Sequence, residues 1–274
     1  MKKVKVLGDH AREHCGCAAV MDSMNELLKN NYDYSSKVVD DYDVLIVNGE
    51  GSMHHGSKNF KSKMDAIKDA LSKGKQAFLI NTVWQKNPND YDDVLKNISG
   101  IIVREEASKI DLLENHGVDA LVRLDISLQA KINKLDEYIN FYSADVITDF
   151  YSSDFGGWVK YSGGARSRFP YMDMKKFTWS QFVMSLETAG LLITGRHHAV
   201  FAACRAKTPF VALESNTHKI SGFVKMSKIP IPVCVKPKEL TAAIKWAKEN
   251  KNAYEDFFNF LDEQPKFTLK DIGL

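Results

Sequence analysis

The chain has 274 residues, 44% hydrophobic and 26% charged, which suffices for one large domain or two compact ones and argues against disorder. Its 37 basic residues nearly balance 35 acidic ones, for a net charge of +2, so the basic stripe of a nucleic-acid binder is not expected. No run approaches the ~20 apolar residues of a membrane span, and the apolar run after the basic start is shorter than that of a signal peptide. A cytoplasmic protein with no transmembrane segment is the expectation.

Short apolar runs alternate with longer amphipathic ones along the chain. Residues 3–7 read as a strand, 17–29 as a helix with Val20, Met24, Leu27 and Leu28 on one face, and 43–48 as a strand apolar enough to be covered on both sides. A helix over 58–73 follows, with Gly74 at the position past its end, then strands at 77–81 and 100–103. A helix over 108–116, closed by Gly117, and a strand at 121–125 complete the first half. The polar stretch 131–136 marks the passage to a second unit, which starts with a strand at 138–143 and a long loop over 151–172 rich in Gly, Ser and aromatics. Thr178-Trp179-Ser180-Gln181 fits a capping box for a helix to about residue 189. A strand at 191–194, a helix at 197–206, a strand at 209–213 and helices at 239–249 and 253–261 close the chain. Such alternation predicts an α/β fold with parallel sheets and right-handed crossovers, in Rossmann-like domains over residues 1–128 and 129–274.

The four cysteines suggest neither zinc nor disulfides. Cys15-Gly16-Cys17 lacks the two-residue spacing of a metal or redox pair, and Cys204 and Cys234 stand alone in apolar contexts. Reduced, buried thiols and no metal site are expected.

The strongest chemical signal is Leu191-Leu192-Ile193-Thr194-Gly195-Arg196-His197-His198. A buried strand feeds a Gly turn and a helix start, where free N–H groups and the positive dipole end favour an anion. Arg196 and the histidines add donors for a phosphate or carboxylate, or Arg196 pairs with a structural carboxylate. His197 and His198 point about 100° apart on a helix, so one of them is expected to face the site. A second strand end, Asn48-Gly49-Glu50-Gly51-Ser52-Met53-His54-His55, offers close backbone approach at its glycines and a carboxylate, Glu50, as base or hydrogen-bond partner to a sugar hydroxyl. Its Gly-x-Gly is no dinucleotide fingerprint. Asp9, in the loop Gly8-Asp9-His10 after the first strand, is a further catalytic candidate. Arg166, beside Gly163-Gly164, and Asn216 with Lys219, after the strand at 209–213, complete the donor-binding set with Gly49, Gly51 and Ser52.

Ile193-Thr194-Gly195-Arg196-His197-His198-Ala199-Val200-Phe201-Ala202 resembles the Gly-Thr-Arg-Leu-His-Ala-x-x-x-Ala signature of polysaccharide pyruvyl transferases. The resemblance extends in the family's order through Asp43 to His55, Arg104 with Ser108, Gly117, Asp125, and Asn216-x-x-Lys219-x-x-Gly222-Phe223. It implies a GT-B-like pair of domains with a cleft between them, and transfer of a pyruvyl group from phosphoenolpyruvate to a sugar as a ketal. It further implies that Arg196 holds the donor anion and His198 is the general acid, with no cofactor beyond the donor substrate. His197 stands where the family has an apolar residue, the chain is short for the family, and Gly8-Asp9-His10-Ala11 departs from its usual Gly-Asp-x-Gly.

Two other readings compete with this one. A GT-B-type glycosyltransferase would set Arg196 and Lys219 on the diphosphate of a nucleotide sugar. A non-catalytic saccharide- or nucleotide-binding module would hold ligands without turnover. Expected partners are thus phosphoenolpyruvate or a nucleotide sugar and a saccharide acceptor, with no nucleic acid; a homo-oligomer is compatible with the sequence.

Overall fold

The computed structural model describes residues 2–30, 32–35, 41–152, 157–159 and 169–274. The chain forms two compact units. One gathers the residues up to Asp9, Met21–Ile126 and Pro265–Leu274; the other gathers His10–Val20 and Ser127–Gln264. The expected partition into 1–128 and 129–274 differs in two exchanged segments, one at each end of the chain. Among the described residues, no helix is long and apolar enough to cross a membrane.

The first unit contains β1 (Lys3–Leu7), most of α1 (Cys15–Leu28), β2 (Asp33–Ser35), β3 (Val44–Glu50), α2 (Lys58–Ser72), β4 (Gln76–Thr82), α3 (Asp92–Asn97), β5 (Gly100–Val103), α4 (Glu106–His116) and β6 (Leu121–Val122). Its sheet runs β2-β1-β3-β4-β5-β6, with every pairing parallel. All seven residues of β3 are buried, as a strand covered on both faces must be. Phe60, Met64 and Ile67 of α2 pack on Leu45, Val47 and Leu79 from one side. Helix α2 ends with Gly74 at a φ of +69°, a conformation glycine adopts without a Cβ clash. A buried ion pair joins Arg104 after β5 to Asp125, Nη1 to Oδ2 at 2.5 Å. Ser108, buried in the first turn of α4, accepts a hydrogen bond from the Trp84 N–H at 2.7 Å.

The second unit carries β7 (Asp145–Ile147), β8 (Phe150–Ser152), β9 (Gly157–Val159), α5 (Trp179–Glu187), β10 (Leu191–Thr194), α6 (His197–Ala206), β11 (Phe210–Leu213), α7 (Lys219–Lys225), β12 (Val233–Cys234), α8 (Leu240–Glu249) and α9 (Lys251–Glu263). Its main sheet, β12-β11-β10-β7, is also parallel throughout. Rings of Phe201, Phe210, Phe223, Tyr254 and Phe257 meet edge-on in its core. Thr178 caps α5 as expected, accepting from Gln181 N at 3.2 Å while the Gln181 side chain reaches back to Thr178 N.

Three expectations are corrected here. Residues 138–143 are not a strand. Their backbone N–H groups bond instead to α5 and the residue after it, Ile139 to Ser185 Oγ and Phe141 to Thr188 Oγ1, and the strand beside β10 is β7. Tyr138, Ile139 and Tyr142 are exposed, so the apolar look of this run does not reflect burial. In the stretch 151–172, expected to be a long loop, the described residues include the end of β8 and β9, which pair antiparallel, while 153–156 and 160–168 lie outside the described residues. The strand expected at 121–125 stops after Val122, and Asp125 turns inward to Arg104.

Candidate active site

In the second unit the site forms where β10 ends. Gly195 sits there because a Cβ would lie 2.8 Å from the Phe150 Cα, and its N–H donates to the Asp149 carbonyl at 3.1 Å. Thr194 Oγ1 accepts from the Arg196 N–H at 2.9 Å and bonds to Thr148 Oγ1, which ties the ends of β7 and β10 together. Arg196 is the residue before the first turn of α6. Its guanidinium grips Asp149 in a fork, Nε to Oδ1 at 2.8 Å and Nη2 to Oδ2 at 2.6 Å. A two-point charged contact of this kind fixes the plane of the guanidinium as well as its position. The structural carboxylate considered for Arg196 is thus present, and it orients the cation at the helix start.

The two histidines part company. His197 is buried, its ring edge-on to Phe201 at 4.3 Å and near Phe223 at 6.5 Å, so it faces an aromatic pocket. His198 turns to the segment that precedes and opens α1. Its ring meets that of His14 edge-on at 5.2 Å, and its Nδ1 lies 4.0 Å from Cys17 Sγ. Gly16 makes this approach feasible, because a Cβ there would fall 2.3 Å from the His198 Cβ. His14 Nδ1 accepts from the Gly16 and Cys17 N–H groups at 3.2 and 3.4 Å, and its Nε2 lies 3.5 Å from Cys17 Sγ. Burial first, then electrostatic repulsion from His198, Arg196, Lys175 and Lys219, push the His14 imidazole down to about 2. The ring is therefore neutral at any ordinary pH.

Lys219 is buried at the start of α7, with Nζ 2.8 Å from Asn216 Oδ1. Glu214 holds this turn by accepting from the Ser215 and Ser221 N–H groups at 3.1 and 3.0 Å. Phe223, one helical turn further on, carries the segment back to His197 and Phe201. Arg196, His197, His198, Asn216 and Lys219 thus belong to one unit, and Arg166 lies outside the described residues.

Asp9, Gly49, Glu50, Gly51 and Ser52 belong to the other unit. Asp9 is exposed just past β1. Gly49 is required by packing, since a Cβ would meet Thr82 Oγ1 at 2.2 Å. Glu50 is buried, holds a φ of +43°, and accepts from Asn48 Nδ2 at 3.0 Å. Lys63 organises this turn, donating to the Asn48 and Gly49 carbonyls at 2.7 and 3.1 Å and to Ser52 Oγ at 2.8 Å.

Sequence reasoning missed Asp149, Cys17 and Lys63 as parts of these sites, while His14 stood in the polar run after the first strand that it considered. Lys63 had a signal, because it falls among the inward positions Phe60, Met64 and Ile67 of α2, where a charge needs partners. Asp149 had one too, as the carboxylate following a strand that neighbours β10, but the misplaced strand at 138–143 hid it.

Comparison with known proteins adds the following. The polysaccharide pyruvyl transferase family model matches residues 14–217. No curated protein matches the chain. Among solved structures, MnaA of S. aureus with UDP superposes with a TM-score of 0.62 at 9% identity, covering 94% of this chain and 91% of that one. A putative UDP-N-acetylglucosamine 2-epimerase from Listeria monocytogenes gives 0.60 at 9%, covering 93% and 90%. The UDP-GlcNAc 2-epimerase of Methanocaldococcus jannaschii, solved with UDP-GlcNAc and UDP, gives 0.57 at 11%, covering 96% and 99%. At such identities the likeness concerns the fold alone, which is α/β with Rossmann-like domains of the GT-B type.

Proposed function

The chain belongs to the polysaccharide pyruvyl transferase family, and from that premise we propose that it moves a pyruvyl group from phosphoenolpyruvate to a sugar of a cell-surface polysaccharide or its precursor. The observation that carries the donor assignment is the Arg196 fork on Asp149 at the end of β10, beside the start of α6. A guanidinium locked in plane at a helix N-terminus suits the phosphate or carboxylate of a small anion. His198, within reach of the same turn, gives a proton to the methylene carbon of the donor. A sugar hydroxyl then adds at the neighbouring carbon, the C–O bond to phosphate breaks, and a second hydroxyl takes its place to close the ketal; of the two hydroxyl protons, one replaces that given up by His198 and the other leaves on inorganic phosphate. Lys219 and Asn216 join Arg196 in holding the donor, while His197, turned to Phe201 and Phe223, packs behind them. Arg166 completes the proposed donor-binding set. No cofactor beyond the donor and a cytoplasmic location are parts of the proposal.

The test is phosphate release from phosphoenolpyruvate in the presence of a saccharide panel. Release that depends on a saccharide and is lost in His198→Ala is the expected result. Transfer from a nucleotide sugar is the second reading, favoured by the neighbours solved with UDP. Thermal protection by a nucleotide sugar, with neither protection nor phosphate release from phosphoenolpyruvate, would establish it instead.

A further inference from the structure

His14, Cys17 and His198 bring one ligand-type atom each into a group whose members all lie within 4.8 Å of one another. Cys17 Sγ is 3.5 Å from His14 Nε2 and 4.0 Å from His198 Nδ1. In a tetrahedral zinc site, with metal–sulfur and metal–nitrogen bonds of about 2.3 and 2.0 Å, sulfur and nitrogen ligands stand about 3.5 Å apart. The Cys17–His14 edge already has that length, the Cys17–His198 edge needs to close by about half an ångström, and the two histidine ligand atoms lie within 4.8 Å of each other.

We propose that His14, Cys17 and His198 form a binding site for a thiophilic divalent cation of the zinc class, with a fourth position left for water or an anion. The donor set of two imidazoles and a thiolate is the one zinc and cobalt(II) prefer over hard cations such as magnesium. The scaffold holds these residues in place without a metal. The first turn of α1 fixes Cys17 relative to His14, and Gly16 lets His198 come up against that turn. Proton accounting is simple. The Cys17 thiol proton leaves to solvent as the metal–sulfur bond forms, and the His14 proton moves from Nε2 to Nδ1, which gives up its two long contacts with the Gly16 and Cys17 N–H groups.

The site goes beyond the transfer reaction and is read without turnover. A metal on Nδ1 takes the lone pair with which His198 would pick up a proton, so metal binding and acid catalysis exclude each other in one molecule. The test is titration of the metal-free chain with cobalt(II), followed by displacement with zinc. The expected result is about one equivalent bound, with the near-ultraviolet sulfur-to-cobalt charge-transfer band of a thiolate ligand. Cys17→Ser, which keeps the size of the side chain, should lose that band. His14→Ala should weaken binding by about tenfold or more. Cys204→Ser should leave the band unchanged, and circular dichroism verifies the fold of each variant. Absence of the band in the wild-type chain overturns the proposal. So does its persistence in Cys17→Ser, and so does binding through His54 and His55 alone, seen as loss of the equivalent in His55→Ala.

Discussion

At the scale of single residues, the two sharpest consequences concern Arg196 and Gly16. Lysine at 196 keeps the charge but cannot reproduce the two bonds to Asp149 at 2.8 and 2.6 Å. Arg196→Lys is therefore expected to raise the phosphoenolpyruvate concentration for half-saturation by about tenfold or more, roughly 1.4 kcal/mol of donor binding. Calorimetric titration with phosphoenolpyruvate checks it, and unchanged affinity would remove Arg196 from the donor site. Gly16→Ala tests whether the placement of His198 matters. The new methyl would fall 2.3 Å from the His198 Cβ and 2.6 Å from its Cγ, and neither atom sits at the loose end of a side chain. Displacing a catalytic group by about 1 Å can cost 100-fold, so phosphate release should fall by about that factor while the donor still binds. Unaltered release in the folded variant would show that His198 is not the acid.

At the scale of elements, the capping box of α5 and the return of the C-terminus make separate predictions. Thr178→Ala removes the acceptor of the Gln181 N–H, and the loss should be about 1 kcal/mol by denaturant unfolding. The C-terminal residues come back to the first unit through Arg123, whose Nε and Nη2 donate to Asp271 at 3.2 and 2.7 Å. Burial alone would raise the Asp271 carboxyl. The Arg123 guanidinium and the Thr268 N–H outweigh it and hold the carboxyl below its ordinary value. A depressed carboxyl gives stability that is present above its unfolded value of about 3.9 and is lost as pH falls through the lower folded value. Asp271→Asn is thus expected to flatten the dependence of unfolding free energy on pH below about 4 and to lower stability at neutral pH. An identical acid limb in the variant would contradict it.

At the scale of the whole molecule, much of the fold was legible because its information is local. Buried parallel strands such as β3 and β10 are continuous apolar runs, and Gly74, Gly117 and Thr178 mark helix ends by chemistry that needs no tertiary partner. The run at 138–143 misled because exposed Tyr138, Ile139 and Tyr142 look apolar in sequence while the N–H groups of Ile139 and Phe141 bond to Ser185 and Thr188. The site was half legible for the same reason. Arg196 and His198 stand in a strand–turn–helix pattern, whereas Asp149 and His14 reach them from 47 and 184 positions away in sequence, a separation that no spacing rule covers. The family pattern also divides once its residues are placed. Arg104, Ser108, Gly117 and Asp125 build the frame of the first unit, through a buried ion pair, a buried hydroxyl and a left-handed helix end. Arg196, His198 and Lys219 lie in the second, and the proposal gives them its charge and proton chemistry.

The account stands or falls on where phosphoenolpyruvate binds. A crystal of the protein soaked with phosphoenolpyruvate locates the phosphate directly. The account predicts that phosphate within hydrogen-bonding distance of Arg196 at the start of α6, with the methylene carbon turned to His198. A phosphate bound elsewhere, with the Arg196 fork on Asp149 untouched, would contradict it.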